Sequence, residues 1–200
     1  MERLTQQIVD LTSRLIERPS VTPDDAGCQT ILQEQLHRQG FEIDSLPFGE
    51  VENFWATHGE GEPFMVFAGH TDVVPSGPIE HWTLDPFTPT VRDGRLYGRG
   101  SADMKGSLAA MVLATQQFLT EFPDHPGTLA YLVTSDEEGT AVDGTVKVVG
   151  HLEQRGIFPD FCIVGEPSSR RRAGGVSRIG PRGALNGRVP VKGEQRHVGF

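Results

Sequence analysis

Gly69-His70-Thr71-Asp72, Gly98-Arg99-Gly100-Ser101-Ala102-Asp103-Met104-Lys105-Gly106 and Ser135-Asp136-Glu137-Glu138-Gly139 hold the residue types on which chemistry could be built. His70, Glu137 and Glu138 stand just past apolar, strand-like runs, where a core can hold them still and aim them at one cleft, and Glu166 follows another such run, Phe161 to Val164. Asp103 sits in a glycine-rich turn that leads into a helical pattern. A mixed nitrogen and oxygen donor set suits zinc, with manganese or cobalt as substitutes. Without a cation, clustered carboxylates would repel one another and their pKa values would rise. The layout is that of a metal site.

Each of these residues also has a plainer reading. A lone histidine at a strand end is more often a hydrogen-bonded structural residue than a ligand, and His37, His58, His81, His125 and His151 take that reading. Asp103 could cap the helix that follows it, and Glu137-Glu138 could be a solvated loop. Their joint occurrence in separate segments favours the metal. Other motifs fail. Gly100 to Lys105 lacks the second glycine before lysine of a phosphate loop, no Gly-x-Gly-x-x-Gly follows a strand, and there is no Gly-x-Ser-x-Gly elbow.

The scaffold can be read from periodicity. Leu4, Ile8, Leu11 and Leu15 recur at helical spacing, and Arg18-Pro19 ends that helix, because proline disfavours the helical state in the residue before it. A second helix is predicted to start with Asp24 or Asp25 as its cap, to turn Ile31, Leu32 and Leu36 inward, and to stop at Gly40. Strands follow near 41–45 and 53–57. Phe64 to Ala68, Thr128 to Thr134 and Phe161 to Val164 are continuous apolar runs, the pattern of strands covered on both faces. Helical segments from Lys105 to Phe122 and from Gly144 to Arg155 lie between them. This alternation predicts an α/β fold, a mostly parallel sheet flanked by helices, with ligands bound outside the carboxyl ends of the strands.

Composition narrows the partners. With 200 residues, 36% of them hydrophobic, the chain can bury a substantial core. Its 27 acids against 18 bases give a formal charge of -9, which argues against a phosphate-tracking nucleic-acid surface. The longest uninterrupted apolar run, Leu108 to Ala114, is far shorter than the roughly 20 residues of a membrane span. Met1-Glu2-Arg3 opens an amphipathic helix and not a signal peptide, so a cytoplasmic location is expected. Cys28 and Cys162, in segments that read as regular and largely buried, are expected to be reduced thiols.

Gly69 to Pro75, Gly98 to Gly106, Thr134 to Gly139 and Val164-Gly165-Glu166-Pro167-Ser168 together resemble the M20 metallopeptidase family, and the resemblance is continuous from about Leu4 to Ser169. It implies a zinc-dependent exopeptidase-like catalytic domain over residues 1–178 and the start of a smaller α+β dimerisation (lid) domain over 179–200. By position it implies two zinc ions, with cobalt or manganese as substitutes, bridged by Asp103. One would also be held by His70 and Glu166, the other by Glu138 and a histidine far downstream of this chain's end. Asp72 would orient the His70 imidazole, Glu137 would be the general base, and the Asp103-Met104 peptide would be cis. Family members form homodimers, in which the residue matching His197 reaches the partner's site and steadies the oxyanion; here Arg196 stands where a glycine is usual.

The implied activity is that of a zinc-dependent amidohydrolase acting on a small molecule. Trp82 to Phe87 is shared with members that deacetylate acetylornithine, whereas Glu137 to Thr145 looks particular to those that hydrolyse N-succinyl-LL-2,6-diaminopimelate to succinate and LL-2,6-diaminopimelate, a step of lysine and diaminopimelate synthesis. Arg182 is a candidate contact for that anionic substrate, or a solvated loop residue. Acetylornithine deacetylation and a non-catalytic remnant of the family are the alternative expectations. Beyond Ser169 the match frays: Arg170-Arg171-Arg172 and Gly174-Gly175 depart from the pattern, and Pro190 falls inside an expected strand, where it removes a ladder hydrogen bond. With one metal ligand downstream, these 200 residues alone are expected to bind one metal more firmly than the second and to turn over substrate poorly.

Overall fold

A computed structural model describes residues 2–168, so the boundary expected at 178/179 and the readings placed on Arg182, Pro190 and His197 lie outside the described residues. Two amphipathic helices open the fold, α1 (Glu2–Ile16) and α2 (Cys28–Arg38). Their apolar stripes, Leu11 and Leu15 on α1 and Ile31, Leu32 and Leu36 on α2, are buried as the spacing predicts. The second helix starts three residues later than its predicted cap. Asp25 still accepts the Gln29 N–H (2.8 Å), but the chain first turns through Ala26 and Gly27, both with positive φ. The helix ends in a Schellman motif at Gly40 (φ 87°), where the N–H of Phe41 returns to the carbonyl of Leu36 and that of Gly40 to His37.

Five strands form the main sheet: β1 (Glu42–Ser45), β2 (Asn53–Glu60), β3 (Phe64–His70), β6 (Gly127–Thr134) and β7 (Phe161–Val164), in the order β1-β2-β6-β3-β7. The α/β class holds. The sheet is mixed: β3 runs parallel to β6 and β7, while β2 runs antiparallel to β1 and β6. Helices α3 (Gly106–Glu121) and α4 (Thr145–Gln154) complete the described fold. Alternation along the strands splits the core in two. Phe54, Ala56, Tyr131 and Val133 pack with α1, α2 and α3, whereas Trp55, Val66, Ala130 and Leu132 pack with Val148 and Leu152 of α4. Tyr131 finds a partner for its buried hydroxyl in Thr115 of α3 (2.7 Å).

Register decides where the chemistry falls. His70 is opposite Thr134 and Ala68 is opposite Val164, so the carboxyl ends of β3, β6 and β7 line up on one edge. The loops that carry Glu137, Glu138 and Glu166 therefore leave the sheet beside His70.

Two features depart from the sequence reading. Strand β7 is exposed, with Phe161 62%, Ile163 47% and Val164 55% accessible, and Cys162 is exposed with them, whereas Cys28 is buried. Among the described residues β7 pairs only with β3, and α4 lies over β6 and β2, so no described element covers it. An apolar run alone does not separate a central strand from an edge one. A small hairpin, β4 (Thr90–Arg92) and β5 (Arg95–Tyr97), was not anticipated. Its turn is Asp93-Gly94 with both φ positive, the strongest short hairpin signal in a sequence and one that the reading passed over.

His58 and His125 do act structurally. Their rings stack, with Nδ1 of His58 3.1 Å from Nε2 of His125. Burial, and then the neighbouring His125, hold the His58 pKa below its ordinary 6.5. The unfolded chain therefore takes up this proton before the folded one does, and stability falls as pH drops through 6.5. The thermal midpoint of the native chain is expected to decline relative to a His58→Gln variant between about pH 8 and 5. A difference that is flat across that range would contradict this assignment.

Candidate metal centre

His70 ends β3 and is 1% exposed. Its Nδ1 lies 2.9 Å from the Asp72 carbonyl and 3.4 Å from Asp72 Oδ1, so in the neutral ring the proton belongs on Nδ1. That leaves the Nε2 lone pair facing a cluster of acids: Asp103 Oδ1 at 3.2 Å, Glu166 Oε1 at 3.3 Å and Glu137 Oε2 at 3.9 Å. Burial alone would push the imidazole pKa down. Hydrogen bonds with Asp103, Asp72 and Glu166 outweigh it and push the value up to about 12. The surroundings are built to hold positive charge on this nitrogen, and a cation there satisfies the same acids.

The Asp103 turn is wedged in place. Its Asp103-Met104 peptide is cis, as the family resemblance implies. Met104 is fully buried; its sulfur accepts the His70 N–H at 3.3 Å, and its methyl group lies where a side chain on Gly69 or Gly165 would have to be (2.5 and 2.8 Å from the hypothetical Cβ atoms). The segments bearing His70, Asp103 and Glu166 thus meet on one methionine, and at Gly69 and Gly165 a side chain would have to displace its methyl group. Lys105 anchors the turn from behind. Its buried Nζ donates to the carbonyls of Leu15 (2.8 Å) and Arg18 (2.9 Å) at the end of α1, where the helix dipole favours a cation. Asp103 faces His70, and the residue at the cap of α3 is Lys105.

Glu137 and Glu138 are set by their backbone. The carboxylate of Asp72, fully buried, accepts the N–H of Glu137 (3.2 Å) and of Glu138 (3.0 Å). Burial would raise the Asp72 pKa, but the His70 imidazole and the Glu138 N–H bring it below its ordinary value. Asp72 is therefore charged, and it grips the ring and the acidic pair at once. Glu137 and Glu138 themselves are pushed up, first by burial and then by neighbouring acids, against the pull of His70. Such crowding is what a cation relieves.

Two trios result, each with one donor atom per residue and all those atoms within 4.8 Å of one another: His70 with Glu137 and Glu138, and His70 with Asp103 and Glu166. The donor chemistry fits zinc. All six expected residues within the described range, His70, Asp72, Asp103, Glu137, Glu138 and Glu166, come to this edge. Glu137 enters the first trio as a possible ligand, beside the base role that the resemblance gave it.

The sequence reading missed the buried polar shell beneath. Asp25 accepts the Thr71 hydroxyl, Ser20 donates to the Thr71 carbonyl (2.7 Å), and Asp136 gathers the loop beyond Glu138. In sequence Asp25 reads only as a cap, because a carboxylate before a helix looks the same whether or not it also reaches a distant strand.

The profile of peptidase family M20/M25/M40 matches residues 66–190, and the chain belongs to that family. Within it, the chain is 58% identical over 193 residues to the succinyl-diaminopimelate desuccinylase of Stenotrophomonas maltophilia (strain K279a), covering 96% of this chain and 52% of the relative. It is 54% identical over 194 residues to the protein of that name from Coxiella burnetii (strain Dugway 5J108-111), covering 97% and 52%. The chain spans about half the length of the curated relatives it matches. Human carnosine dipeptidase 1 superposes with a TM-score of 0.67 at 24% identity over 82% of this chain and 38% of that one. The M20 family metallo-carboxypeptidase Sso-CP2 from Sulfolobus solfataricus gives 0.65 at 20%, over 82% and 37%. These likenesses show the fold. Among the described residues no helix is long and apolar enough to cross a membrane.

Proposed function

We propose that this chain is the metal-binding catalytic part of an amidohydrolase that cleaves N-succinyl-LL-2,6-diaminopimelate to succinate and LL-2,6-diaminopimelate. What carries the reading is the meeting of two acid trios on one imidazole, His70, in a chain 54 to 58% identical to desuccinylases. Asp103, His70 and Glu166 would hold one zinc ion, and Asp103 and Glu138 would share in a second. When bound, such ions would supply Lewis-acid chemistry for acidifying a water and polarising the amide carbonyl. Glu137, its carboxylate half-exposed toward His70, takes the proton of the attacking water and hands it to the leaving amine. Asp72 fixes the imidazole and both glutamates at their backbone, so that no charged group need reorganise as the amide bond breaks. Residues 1–178 form this catalytic unit in the proposal, and 179–200 begin a lid domain through which the longer protein dimerises and offers His197 to its partner's site.

Assay of a protein extended to its relatives' length against both acyl amino acids tests the substrate. Hydrolysis of succinyl-diaminopimelate is expected to exceed that of acetylornithine by at least about a hundredfold in kcat/KM, since a site that pairs a charged group rejects an analogue lacking it. Preference for acetylornithine would reject the substrate and leave the metal centre standing.

A further inference from the structure

We propose that Asp136 is a positioning residue that sets where the Glu138 carboxylate meets a metal ion; this rests on the metal reading above. Asp136 is 2% exposed. It turns back into its own loop. Oδ1 accepts the N–H of Ala141 (3.0 Å), and Oδ2 accepts those of Val142 (3.0 Å) and Asp143 (3.1 Å). Its own N–H donates to Thr134 Oγ1 at the end of β6 (3.1 Å). One carboxylate thus satisfies three successive amides and winds residues 137–143 into a closed loop, in which Ala141 takes a positive φ of 55°.

The loop has no slack on either side. A Cβ on Gly139 would come within 3.0 Å of Asp136 Oδ1 and 2.6 Å of Thr22 Oγ1, and one on Gly144 within 2.6 Å of Thr134 Oγ1. The Asp143 carbonyl is tied down by Asn53 Nδ2 (3.0 Å). Glu137 and Glu138 sit between two buried carboxylates. Asp72 holds their N–H groups on one side, and Asp136 holds the chain that follows them on the other. Asp72 is common to both trios through its grip on His70, whereas Asp136 acts only on the loop. The trio of His70, Asp103 and Glu166 contains no residue of the loop that Asp136 holds.

That asymmetry supplies the test, with Co2+ as the spectroscopic probe and the whole chain as the sample. Asp136→Asn keeps the shape and removes acceptor capacity. It is expected to weaken by about ten- to a hundredfold the Co2+ phase that Glu138→Gln also weakens, the cost typical of an outer-shell partner, and to leave within about threefold the phase that Glu166→Gln weakens. In the metal-free variant the amides of 137–143 should exchange at least about tenfold faster while those of β6 keep their protection. Val142→Pro, which deletes one of the three donors at an exposed position, should act in the same direction and serves if Asp136→Asn does not fold. Equal weakening of both phases, no weakening, or unchanged loop exchange would overturn the proposal. If the native chain binds no Co2+ that His70→Ala removes, the metal reading itself has failed, and this is seen before any loop variant is made.

Discussion

Replacing His70 with alanine is expected to weaken zinc binding by more than about a hundredfold, beyond what loss of an outer-shell partner costs. His70 is the one nitrogen donor of both trios, and its removal takes the imidazole from the ion that Asp103 and Glu166 would share with it. It also leaves the carboxyl groups of Asp103, Glu166 and Glu137 facing one another across an empty space. Glu166→Gln touches one trio only and should cost less. Competition against a chromophoric chelator measures both, at fixed pH, because metal binding to imidazole and carboxylates competes with protons. A loss of less than about threefold on removing His70 would place the metal elsewhere.

Glu137→Gln is expected to lower kcat by about a hundredfold to ten-thousandfold in a protein of its relatives' length, the range for losing a general base. Zinc affinity should stay within about threefold. The reason is geometric: Glu137 and Glu138 are fixed by their N–H groups on Asp72, so changing one side chain does not move the other. This variant decides between two readings of the first trio. If affinity collapses together with turnover, Glu137 is a ligand; if turnover alone is lost, it is the base. Unchanged turnover would remove it from the chemistry.

Most of the scaffold was legible because its signals are local. Leu4, Ile8, Leu11 and Leu15 mark a helix by spacing, Gly40 marks its neighbour's end by chirality, and the run from Phe64 to Ala68 marks a strand, although only Val66 within it is buried. The candidate site was legible for the same reason: His70, Asp103, Glu137, Glu138 and Glu166 each punctuate an element, and parallel strands put such punctuation on one edge. What escaped depends on tertiary facts. That β7 has β3 as its one strand partner among the described residues, with Cys162 exposed there, follows from pairing and not from composition. That Met104 spaces three segments, or that Asp25 reaches Thr71, needs contacts between residues 34 to 61 positions apart, which no period encodes. Lys105 reads as the polar start of a helix until its two carbonyl partners on α1 and its loop are seen to bury it.

The central claim is that these distant side chains converge on cations. Diffraction from zinc-soaked crystals at the zinc absorption edge measures that directly. The expected map has an anomalous peak about 2.0 to 2.2 Å from His70 Nε2 and from oxygens of Asp103 and Glu166, with any second peak about 3.5 to 4 Å away toward Glu138. Peaks confined to other histidines, with His70 still hydrogen-bonded to its acids, would contradict the account.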